Sequence, residues 1–127
     1  MSHYYELGEE TLWNPSNGVS RLFLAQAAAF EAELGLPSGI GPMAEDECRI
    51  DPAAFGAFAR ALLTRYRSTG HPVAAALSEG FTAAVLVLAE RAGLRATLPG
   101  APADPAAAGR TARLRERARE LDRSMHR

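Results

Sequence analysis

Residues 11–23 read Thr-Leu-Trp-Asn-Pro-Ser-Asn-Gly-Val-Ser-Arg-Leu-Phe, and the fold turns on where extended chain gives way to helix inside them. Upstream, Tyr4-Tyr5-Glu6-Leu7 and Thr11-Leu12-Trp13 flank Gly8-Glu9-Glu10, the pattern of a short hairpin. Two strands alone are marginal in water, so they are expected to lie on helices. Downstream, Val19, Leu22, Phe23, Ala27, Phe30 and Leu34 recur at helical spacing and give one apolar face. The first helix therefore begins between Pro15 and Gly18 and stops at Gly35. Asn14, ahead of Pro15, is one cap; Ser16 and Asn17 compete with it.

Working outward, residues 35–50 form a long Gly/Pro-rich connection that ends in Glu45-Asp46-Glu47-Cys48-Arg49-Ile50. Unstructured loops of that length are uncommon in compact domains and often functional. Asp51-Pro52 opens a second helix whose buried face is Phe55, Phe58, Ala59, Leu62 and Tyr66. His71-Pro72 opens a third, running to about Gly93, and its stretch from Phe81 to Ala89 is apolar almost all round, which places it centrally. Gly80 weakens that helix by roughly 1 kcal/mol relative to Ala, and close approach of another helix would explain it. Residues 97–109 read as a Pro/Ala linker, after which Thr111 caps a last helix. Its apolar positions, Leu114, Ala118, Leu121 and Met125, form a narrow seam on an otherwise Arg- and Glu-rich surface. The expected fold is mainly α: a three-helix core with a short extended N-terminal segment and a tethered amphipathic C-terminal helix. The expected division is a helical domain over 1–96, a linker over 97–109 and an Arg-rich helix over 110–127.

The 127 residues suffice for one domain with a modest core. The net charge of −1 hides an asymmetry. Residues 1–109 hold seven Arg against twelve Asp and Glu, whereas residues 110–127 hold seven Arg against three acids. An acidic body carries a basic tail. All fourteen basic residues are Arg, which with the abundant alanine reads as the mark of a GC-rich genome. A single cysteine, Cys48, excludes an internal disulfide framework. The run Ala83 to Ala89 is too short to span a bilayer, and no signal-peptide pattern opens the chain, so no membrane association is expected and the expected location is cytoplasmic.

The opening Thr11-Leu12-Trp13-Asn14-Pro15-Ser16-Asn17-Gly18-Val19 resembles that of a family of short actinobacterial proteins of unknown function. Gly39-Ile40-Gly41-Pro42-Met43, Asp46 to Asp51 and the turn from Tyr66 to Pro72 fit the same family. The resemblance covers roughly residues 4–93, leaves the tail outside, and implies no activity, cofactor or catalytic residue.

Trp13, Asn14, Ser16 and Asn17 crowd an indole, two amides and a hydroxyl at one corner, the makings of a ligand wall with polar readers. The plainer reading is a helix entrance over-supplied with caps. Tyr66 and His71 are further ligand-binding candidates, His71 competing as a cap for the helix that follows. Glu45, Asp46 and Glu47 suit a basic partner, and Leu114, Leu121 and Met125 suit docking against this chain or a neighbour. The spacing of Glu45, Asp46, Glu47, Cys48 and Asp51 matches no metal-ligand pattern. The tail lacks aromatics among its arginines, which disfavours nucleic acid. No nucleophile–base pair or phosphate loop is legible, and neither a catalytic residue nor a cofactor is expected. The expectation is a non-catalytic interaction or accessory module whose partner is another protein or a second copy of itself. The alternative is a small-molecule binder or small enzyme with a pocket between the Trp13 corner and the 36–50 loop.

Overall fold

The computed structural model describes residues 1–127. Strands β1 (Tyr4–Leu7) and β2 (Glu10–Trp13) form the hairpin, helix α1 (Asn17–Leu34) follows, and β3 (Glu47–Arg49) precedes α2 (Pro52–Ser68), α3 (Pro72–Arg91) and α4 (Pro105–Ser124). The mainly-α expectation is corrected here. The fold is α+β, with four helices and a three-stranded mixed sheet of order β2-β1-β3. The strand that sequence reading missed is β3, which lies parallel to β1 with Tyr5 opposite Cys48. Three residues are too few to show a period of two.

The hairpin register slips between Tyr5 and Glu6: Tyr5 faces Trp13, while Glu6 faces Thr11. The extra residue is Leu12. A bulge of this kind turns two consecutive side chains toward one face, and Leu12 and Trp13 are both buried. Trp13 then packs between Tyr5 and Phe23, ring centroids 5.2 Å from each. Phe23 passes the contact on to Phe81 of α3 at 5.2 Å, and Phe81 stacks on Phe30 at 4.8 Å. An aromatic chain thus joins sheet, α1 and α3, and α3 packs on α1, α2, α4 and β2. By length and composition α3 could cross a membrane, yet much of it is buried inside the fold, as in a core helix.

The 35–50 connection is fastened to the body. Ser38 N–H donates to Glu31 Oε2 at 2.7 Å, Asp51 N–H to the Gly39 carbonyl at 2.8 Å, and Gly41 N–H to the Arg49 carbonyl at 2.8 Å. Asp51 stands at the N-cap of α2, but its side chain makes no capping bond. Ser16 is the N-cap of α1 and accepts from Val19 N–H at 3.4 Å. His71 caps α3.

The last helix starts earlier than expected. Asp104 caps it, accepting from Ala106 and Ala107 N–H, and residues 105–109 form its first turns; Thr111 lies inside it, its hydroxyl bonded to the Ala107 carbonyl. Leu114, Ala118 and Met125 are buried in the chain's own core, with Leu121 packed beside them. The basic tail meets the acidic body: Arg115 lies 3.8 Å from Glu90, Arg117 lies 4.0 Å from Glu79, and Arg127 pairs with Glu10 at 3.0 Å; one pair runs the other way, Arg91 of α3 holding Asp122 at 2.7 Å.

Candidate functional site

The structure opens a cleft of about 870 Å³ beside the Trp13 corner. One wall is α1, presenting Val19, Leu22 and Gln26; the other is α3, presenting Ala76, Leu77, Gly80 and Ala84; the end of α4 closes it with Leu121 and Met125. Ala76, Gly80 and Ala84 stand one turn apart, so α3 offers the cleft a shallow trough. A Cβ placed on Gly80 would meet nothing within 4 Å. No helix of this chain makes the close approach that Gly80 was expected to serve. The rim is apolar as well: Leu22 is 61% exposed and Leu77 79%.

Trp13, Asn14 and Ser16 do line this cleft; Asn17 does not, and neither does the 36–50 loop. Tyr66 and His71 fall in a separate depression, with Glu79 lining both. Trp13 is only 5% exposed and offers no free face for stacking, because Tyr5 and Phe23 already occupy its surroundings. The Asn14 backbone N–H donates to the His126 carbonyl at 2.8 Å, which ties the end of the chain to the corner. The Oδ1 atoms of Asn14 and Asn17 are sealed from solvent and have no hydrogen-bond partner. Unpaired buried acceptors weaken the corner, and a ligand would reach them only if it opened. His71 Nδ1 accepts from Ala74 N–H at 3.4 Å, the plain capping role, and the Tyr66 hydroxyl donates to Glu79 Oε1 at 3.1 Å. Burial, followed by the Glu79 carboxylate, raises the Tyr66 pKa.

A second constellation had no sequence signal. Ser20, fully buried, bonds to the Tyr5 hydroxyl at 2.8 Å and to His3 Nδ1 at 2.7 Å, while His3 Nε2 lies 3.7 Å from Asp46 Oδ1. One proton assignment is self-consistent: Tyr5 donates to Ser20, Ser20 to Nδ1, and Nε2–H points at Asp46. The Ser-His-Asp composition brings hydrolases to mind, but a nucleophile must reach its substrate, and Ser20 has no exposed surface. The group locks the N-terminus to α1 and to the acidic turn. In that turn Glu45 and Asp46 both adopt positive φ, 54° and 65°, between the paired residues Ala44 and Glu47.

No group of three or more His, Cys, Asp or Glu side chains converges as a metal site. The Cys48 thiol is buried and donates to the Gly41 carbonyl at 3.1 Å. Burial pushes its pKa to about 11 and that of Tyr5 to about 12. A raised pKa means that the fold favours the protonated form. The unfolded chain releases these protons first, from ordinary values of 9.0 and 10.0, so the stability they contribute is whole below pH 9 and is lost as pH rises through about 11 and 12. Urea midpoints are expected to be level from pH 7 to 8.5 and to fall steeply above pH 10, and Tyr5→Phe with Cys48→Ala should flatten that fall.

A family model matches residues 1–127. The chain belongs to DUF6086, a family of unknown function. The match takes in α4 as well as the body, farther than the resemblance at the opening reaches. No curated protein and no solved structure matches the chain.

Proposed function

We propose that this DUF6086 member is a non-catalytic cytoplasmic interaction module, and that its α1/α3 cleft receives an amphipathic helix of a partner protein. The observation that carries this is the apolar rim. A small-molecule pocket encloses its apolar lining, whereas here two large apolar side chains of the lining, Leu22 and Leu77, stand out into solvent beside an open trough at Gly80. A trough of small residues between apolar ridges suits a helix laid along it. The corner's polar groups favour the same reading, because the caps engage backbone and the amide oxygens are sealed. The seam of α4, the other apolar stripe, is already used inside the chain.

The test is affinity capture from the native host with the parent protein and with Gly80→Leu. That substitution improves helix propensity and meets open space, so the fold is kept while the trough is filled. The expected result is a partner captured by the parent only. A synthetic peptide of its amphipathic helix should bind the parent, with affinity reduced about 30-fold or more in the Gly80→Leu variant. Capture unchanged by Gly80→Leu, or a small molecule co-purifying in the cleft by native mass spectrometry, would overturn the proposal.

A further inference from the structure

A second cleft, of about 570 Å³, lies between the C-terminal end of α3 and α4. Six arginines line it, Arg91, Arg95, Arg115, Arg119, Arg123 and Arg127, against two acids, Glu90 and Asp122. Arg91 is committed to the fold: its guanidinium donates to Asp122 Oδ1 at 2.7 Å and to the Leu12 carbonyl at 2.8 Å, and its side chain is nearly enclosed. The others are held loosely. Arg115 comes no nearer than 3.8 Å to Glu90, and Arg119 and Arg127 pair with Glu116 and Glu10 through exposed side chains on both sides. Such pairs are weak and yield readily to a competing anion. Arg95 and Arg123 make no ion pair.

The arrangement is electrostatically unbalanced. Arg115, Arg119 and Arg123 recur one turn apart on α4, and like charges at that spacing repel. We infer that this cleft binds a compact polyanion, a linear polyphosphate carried free or as the phosphate tail of a nucleotide. Guanidinium forks match phosphate oxygens two at a time. The volume falls in the range of small-molecule sites. No aromatic side chain lines the cleft, so a nucleobase finds nothing to stack on, and extended single strands lack the platform they use elsewhere. The inference is independent of the apolar cleft and of any partner bound there.

Calorimetric titration of the full chain at low ionic strength, with inorganic tripolyphosphate, ATP and a single-stranded oligonucleotide as separate probes, tests it. Tripolyphosphate and ATP should saturate one site with affinities within about ten-fold of each other, both falling as salt is added. Arg95→Gln with Arg123→Gln should weaken tripolyphosphate at least ten-fold, whereas the exposed Arg21→Gln, on α1, should leave it unchanged. Without ligand, Arg123→Gln should melt no lower than the parent, since it relieves repulsion. The absence of saturable binding, undiminished affinity in the double variant, or an oligonucleotide bound more tightly than tripolyphosphate would each overturn the assignment.

Discussion

Gly39→Ala is expected to destabilise the fold by at least about 3 kcal/mol, a large share of the stability of a domain this size. The cause is steric and local. Gly39 has φ +74°, and a Cβ built there would sit 2.6 Å from Phe55 N, 2.8 Å from the Asp51 oxygen and 2.9 Å from Ala54 Cβ. The left-handed conformation alone costs an alanine about 1 kcal/mol. The contacts cost more, because the obstructing atoms belong to the first turn of α2 and cannot yield. The Asp51 carbonyl accepts from Phe55 N–H at 2.9 Å, and Asp51 N–H donates to the Gly39 carbonyl at 2.8 Å. Relieving the clash means breaking that turn or lifting the 35–50 connection away from it, and with it the backbone that leads to β3. Urea denaturation against Gly80→Ala gives the internal contrast. Gly80 is a helix-interior glycine with open space around it, so the same substitution there should stabilise by about 0.5–1 kcal/mol. A loss below 1 kcal/mol for Gly39→Ala would mean that the connection is not pinned as described.

That contrast shows where the sequence was legible. The Gly/Pro-rich stretch reads as a loop, and nothing in its composition says that Gly39 and Gly41 are pressed against Asp51 and Arg49. Helices α1, α2 and α3 were readable because each carries an apolar face at helical spacing behind a capping residue. The hairpin was readable from two short runs flanking Gly8-Glu9-Glu10, but the bulge at Leu12 was not. A bulge is a property of pairing, and pairing is invisible in one strand. Strand β3 is defined wholly by its neighbour β1. The start of α4 is different, because its signal was present. Asp104-Pro105 repeats the acid–proline opening seen at Asp51-Pro52, and the alanines after it are the best helix formers. A composition shared with flexible linkers concealed it.

The candidate site was legible in the same uneven way. Trp13, Asn14 and Ser16 do border the main cleft, because they stand at the junction between β2 and α1 and α1 forms one of its walls. The opposite wall came from α3 and the closing end from α4, which no local pattern could have supplied. The indole proved to be core with one edge on the cleft. The arginine cleft draws on side chains from Arg91 to Arg127, brought together by the crossing of two helices.

Leu114→Ala should then show whether α4 is an appendage or part of the cooperative fold. An appendage on a flexible linker would lose almost nothing from the body when one of its leucines is trimmed. In the structure Leu114 is fully buried within the same core cluster as Phe58, Leu62 and Leu88, and α4 packs on both α2 and α3. Trimming it removes three carbons from a filled site and leaves a cavity, which costs about 2–5 kcal/mol in such settings. For a chain of this length that corresponds to a drop of roughly 10 °C in Tm. The sharper reading is cooperativity. Far-UV circular dichroism, which follows all four helices, and Trp13 fluorescence, which reports the aromatic cluster at the sheet, should lose signal in one coincident transition at the lowered temperature. Trp13 lies far from Leu114 in sequence but shares its core through α3 and the Met125 end of α4. Two separated transitions, with the tryptophan signal unmoved, would mean that the tail melts on its own and that the body stands without it. Arg91 makes coincidence the expected result. Its guanidinium, on α3, bonds both the Leu12 carbonyl of β2 and the Asp122 carboxylate of α4, and just past α4 the His126 carbonyl accepts from Asn14 N–H at 2.8 Å, so α4 cannot leave without taking a hydrogen bond from the residue that follows Trp13.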